Sequence, residues 1–143
     1  VGPRSNLAGV LETRLSLGQT LDEQLQNSLL DQIKELRQQE LQLLKRDLTL
    51  LPDSAPPAVR AAMTHRYGLS LYLSGNLVAA GKSLEAAVRL QPNHPHYLFL
   101  LAKFYESQQE SGRARQAVKR LLKLRPENEM YHVFFRELQA DSN

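Results

Sequence analysis

Two stretches of this 143-residue chain align with each other at an offset of 34 residues without a gap, and that periodicity constrains the fold more than any other feature. In the first stretch Tyr67, Gly68, Leu71, Ala80, Leu84, Ala87, Leu90 and Pro92 fall in order; Leu101, Ala102, Tyr105, Ala114, Val118, Leu121, Leu124 and Pro126 take the same places in the second. The apolar spacing is helical, with Leu84, Ala87, Val88 and Leu90 forming one face. Small residues at Gly68 or Ala102 and at Ala80 or Ala114 let one helix approach the next closely. Pro92 and Pro126 then end the second helix of each pair, because proline cannot continue the hydrogen-bond ladder. Each copy therefore reads as a helical hairpin, turned in the first copy at Ser74-Gly75-Asn76. In the second copy Gln109 stands where Gly75 stood and the nearest glycine is Gly112, so a longer or differently shaped turn is expected.

These residues resemble the tetratricopeptide repeat family. The resemblance is firm over about Ala61 to Asn128 and looser in the flanks. It implies an all-α fold of stacked helical hairpins, an α-solenoid with a right-handed superhelix. On this reading residues 61–94 are one repeat and residues 95–128 another. Residues 129–143 are a C-terminal capping helix carrying Met130, Val133, Phe134 and Leu138. Two repeats are fewer than the ~3 usually needed for a stable array, so the flanks are expected to supply packing.

Upstream, residues 52–60 are a stiff connector containing Ser54-Ala55-Pro56-Pro57. Residues 20–51 read as one long helix of roughly 30 residues, opened by a capping box at Thr20 to Glu23 and free of Gly and Pro up to Leu51. Its apolar stripe is expected to run through Leu21, Leu25, Leu29, Ile33, Leu36, Leu44, Leu48 and Leu51 and to pack on the repeats. Residues 1–19 form an N-terminal segment with a short helix around Leu7 to Leu15.

Composition narrows the function classes. With no cysteine, disulfides, thiolate metal sites and cysteine nucleophiles are excluded. Lys and Arg exceed Asp and Glu by three (18 against 15), too mild an excess to indicate nucleic-acid binding. No apolar run approaches the ~20 residues of a membrane span, and no signal peptide is legible, so a soluble chain is expected, in no particular compartment. A first residue of Val1 suggests a processed or excised segment.

Candidate chemistry is sparse. The stretch GNLVAAGKS ends like a phosphate-binding loop, yet five residues separate Gly75 from Gly81 where four are required. RYGLSLYLS before it reads as a helix instead of the necessary strand, leaving Lys82 a solvated side chain. His65, His94, His96 and His132 are read as loop and helix-surface residues, no third ligand standing beside His94 and His96. No metal or cofactor is expected. Neither a nucleophile elbow nor a paired-carboxylate constellation appears, so the chain is not read as an enzyme. Arg113, Arg115, Lys119, Arg120, Lys123 and Arg125 are expected to form a solvated outward face.

The resemblance implies a protein-interaction module that binds a peptide or helix on the concave surface lined by the first helix of each hairpin. At helical spacing that surface contains His65, Leu69, Tyr72, Leu73, His96, Phe99, Lys103, Glu106, Met130 and Val133. The family's carboxylate-clamp variant is not matched: His65, Leu69 and Phe99 stand at the corresponding positions and Lys103 alone is basic. The alternatives are a homo-oligomerisation element, pairing through the N-terminal helix, and an accessory domain of a larger bacterial redox or secretion protein.

Overall fold

The computed structural model describes residues 23–141. The short helix expected around Leu7 to Leu15 and the threonine of the Thr20 capping box lie outside the described residues. Among those described are six helices and no strand: α1 (Glu23–Leu50), α2 (Pro57–Leu73), α3 (Leu77–Leu90), α4 (Pro95–Ser107), α5 (Ser111–Leu124) and α6 (Glu129–Asp141). The chain divides into two compact units, residues 1–36 and 37–143, and the hairpins lie wholly in the second.

Local chemistry starts α2, α4 and α6. Pro57 and Pro95 occupy the first turns of α2 and α4, where a missing N–H costs nothing. His94 caps α4, its Nδ1 accepting from the Tyr97 N–H at 3.4 Å, and Asn128 caps α6 through Oδ1 and the Tyr131 N–H at 3.0 Å.

The turns between the first helix (A; α2, α4) and the second helix (B; α3, α5) of each hairpin correct the expectation of different shapes. In the first, the Asn76 N–H reaches back to the Leu71 carbonyl and the Gly75 N–H to that of Tyr72; in the second, Glu110 pairs with Tyr105 and Gln109 with Glu106. Both are the same left-handed helix ending. Gly75 adopts φ 85° and Gln109 φ 62°, so the second copy places a non-glycine residue in the left-handed region. That strain costs about 1 kcal/mol and is held by the packing on either side.

α2 packs on α3, α4 on α5, α3 on α4, and α6 on α5. Ala61, Leu84, Ala87, Leu98, Ala102, Ala114, Val118, Leu121, Tyr131, Phe134 and Leu138 belong to one continuous core. The small residues act where the repeat pattern places them: a β-carbon added at Gly68 would stand 3.0 Å from Leu84 Cδ2. α6 closes the end of this core with Phe134 and Leu138. Three arginines strap neighbouring segments together. Arg120 donates to the Pro92 carbonyl at 3.0 Å, Arg115 to that of Leu138 at 3.3 Å, and Arg60 to that of Pro52 at 2.9 Å. The basic face of α5 is thus partly structural, while Lys119 and Lys123 are exposed.

α1 keeps Leu29, Ile33, Leu44 and Leu48 of its expected stripe but not Leu25 or Leu36. Leu41 is its buried residue, joining Leu71 and Ala80 in a second apolar cluster. Leu29, Ile33, Arg37, Leu44 and Leu48 share that side and are half-buried, whereas Leu25 and Leu36 are exposed. The sequence offers leucines on several faces of this helix, and contact with α2 and α3 chose the one through Leu41.

Candidate functional site

Between the two A helices lies an apolar cleft of about 120 Å³, lined by Leu69 and Tyr72 of α2, Leu84 of α3, and Leu100, Lys103 and Phe104 of α4. Its geometry follows from one substitution between the copies: Phe104 stands where the first copy has Ser70. The Phe104 ring meets Tyr72 edge-on at 5.9 Å between centroids. On its other side it lies against Gly81, where a β-carbon would come within 2.9 Å of the ring. The glycine of the Gly-Lys-Ser stretch therefore makes room for an aromatic ring. Lys82 beside it is exposed, and the preceding RYGLSLYLS is helical, so the strand that a phosphate loop requires is absent.

Lys103 gives the cleft a charged edge. Its Nζ lies over the Phe134 ring at 4.7 Å and 6.0 Å from the centroid of Phe99, and it pairs with Glu106 at 3.5 Å. Phe99 is half-buried against Tyr131 and Phe134. Of the residues singled out from the sequence, Leu69, Tyr72 and Lys103 line the cleft, with Glu106 held by Lys103 and Phe99 beneath its stem. Leu73, Met130 and Val133 are exposed. Leu100 and Phe104 were missed because each lies one position beyond the helical stripe His96, Phe99, Lys103 and Glu106 that was read as the concave face.

His65 departs most from its expected setting. It is 6% exposed, with its ring 4.5 Å from Tyr97 and 5.5 Å from His96. Burial, aided by His96 and His94, lowers its pKa from 6.5 to about 4, so the ring is neutral at pH 7. A covered ring offers no surface to a partner, and His65 is not among the residues that line the cleft. No group of three or more His, Asp or Glu side chains that could hold a metal ion occurs among the described residues.

A second recess of about 240 Å³ opens on the other side of Phe104, towards the turns, with Val78, Lys82 and Glu85 on one wall and Gln108 and Arg113 on another. The Tyr105 hydroxyl donates to Glu85 there, and burial together with that carboxylate pushes Tyr105 up to about 12. Arg113 reaches Glu85 at 3.7 Å and Glu110 at 3.5 Å and lies over the Tyr105 ring. Tyr105, Glu85 and Arg113 thus join the second A helix to both B helices, a polar clamp between the repeats.

Helical hairpins at a 34-residue period, small residues at each helix crossing and a closing terminal helix are now all in view, and the tetratricopeptide repeat family model matches residues 71–140. Residues 71–140 are tetratricopeptide repeats. No curated protein sequence matches the chain. Tetratricopeptide repeats form a non-catalytic scaffold for protein–protein interaction. No described helix is long and apolar enough to cross a membrane.

Proposed function

We propose that the tetratricopeptide repeats bind a helix or extended peptide of a partner protein on the face formed by α2 and α4. The cleft bounded by Leu69, Tyr72, Leu100 and Phe104 carries this reading, because it is apolar, open and about the size of one aliphatic side chain. An apolar anchor from the partner would fill it, with the adjoining contacts made by Tyr72 and Leu73, which are exposed. The test is capture of partners from the native source by immobilised protein. Leu69→Asp puts a carboxylate into the cleft and should remove the specific partners while circular dichroism stays native; retention of the same partners would sink the reading.

A second reading, self-association, is favoured by the exposed leucines of α1. Leu29, Leu36, Leu43 and Leu50 recur at seven-residue intervals, and Leu36, Leu43 and Leu50 are 63%, 53% and 70% exposed. It predicts a dimer by light scattering that becomes monomeric in Leu36→Glu/Leu43→Glu. A monomeric wild-type protein at high concentration rules it out.

A further inference from the structure

Three imidazoles meet where the two A helices adjoin. His65 on α2 faces His96 on α4 with ring centroids 5.5 Å apart, and His96 lies 6.4 Å from His94 at the start of α4. Tyr97 completes the group, stacked on His94 at 3.7 Å. Their enclosure is graded: His96 is exposed, His94 half-buried, and His65 buried with neither ring nitrogen hydrogen-bonded. A buried polar ring with no partner is costly even when neutral, and a charged one would have neither water nor a counter-ion. The titratable groups that act on His65 are His96 and His94 on the α4 side, both of which lower its proton affinity. Protonating the cluster therefore gathers like charges.

His94 adds a second sensitivity to acid. Its Nδ1 accepts the Tyr97 N–H and caps α4. A proton on Nδ1 removes that acceptor and puts positive charge at a helix N-terminus, where the helix dipole opposes it.

We propose that His65, His94 and His96 form an acid-sensitive latch, which holds α2 against the start of α4 while the imidazoles are neutral and loosens that junction when they are protonated. The direction follows from linkage. In the unfolded chain His65 takes up its proton near 6.5, in the folded protein only near 4, so its contribution is complete above pH 6.5 and is lost as the pH falls towards 4. His65 alone lowers the ratio of folded to unfolded protein about 30-fold at about pH 5. The cleft residues Leu69 and Phe104 are carried by the same two helices, α2 and α4, so loosening that junction in acid would weaken the hold on a bound segment. That consequence alone rests on the proposed function, and the latch is tested without any partner.

The experiment compares urea unfolding and amide hydrogen exchange at about pH 7.5 and about pH 5. The wild-type midpoint should fall in acid, with the added exchange concentrated in α2 and the first turn of α4 and little change in α6. His65→Leu should remove most of the fall. His94→Asn/His96→Gln keeps a capping oxygen, leaves His65 in place and should reduce the fall partly, which preserves the test if His65→Leu does not fold. Nuclear magnetic resonance of the His65 ring in the folded wild type should show no proton uptake near pH 6.5. Uptake there, an acid effect spread evenly over all helices, or an undiminished fall in the variants would overturn the latch.

Discussion

The two hairpins share a 34-residue period and one turn geometry, yet meet that geometry with different residues. The first turns at Gly75, for which a left-handed backbone carries no side-chain penalty; the second turns at Gln109 in the same conformation. Their helix crossings differ as well. Ala87 is the buried residue near the end of α3, while Leu121 fills the equivalent place in α5, and neither has any exposed surface. The comparison teaches that the hairpin is held by the summed packing of its helices, with the turn following. Glu110 and Asn76 make the same backbone hydrogen bond across the turn whichever residue precedes them.

The sharpest way to break this equivalence is to exchange the crossing residues. Leu121→Ala leaves a hole in the continuous core and should cost about 2–5 kcal/mol. The reciprocal Ala87→Leu overpacks a filled crossing and should cost about 1–3 kcal/mol. Urea unfolding of both variants checks the pair; if Ala87→Leu proved neutral, the first crossing would have to contain slack that its fully buried alanine does not suggest. A smaller effect is expected at the turns. Gly75→Gln imposes on the first hairpin the strain that the second already bears and should lower stability by about 1 kcal/mol, whereas Gln109→Gly should raise it by about 0.5–1 kcal/mol. Equal melting temperatures for the wild type and Gln109→Gly would mean that the glutamine conformation is not strained.

Much of the fold was legible because its signals are local or periodic. Small residues at Gly68, Ala80, Ala102 and Ala114 announced close helix crossings, and proline after each B helix announced its end. The failures have physical reasons. Gln109 gave no sign of a left-handed turn, because that conformation is imposed by helices packing on both sides of it. The phosphate loop was excluded at Gly81 by spacing and helical context, but the real partner of that glycine, Phe104, is 23 positions away in sequence and the pairing is not repeated, so it could not be read. The stripe of α1 was read with Leu25 and Leu36, which are exposed, and without Leu41, which is buried, since a helix rich in leucine offers several faces and only a neighbour selects among them. The candidate site was half legible: Leu69, Tyr72 and Lys103 follow from helical spacing, but Leu100 and Phe104 lie one position off that stripe and were brought in by the neighbouring helices.

By itself the sequence determined the helical class, the period and the helix crossings, all of which depend on residue size and spacing along one chain. The tertiary structure alone decided which apolar residues would be buried and which would line a cleft. It turned His65 from a surface candidate into a buried, unpartnered ring, because enclosure depends on what a second helix brings against it and not on the residue itself.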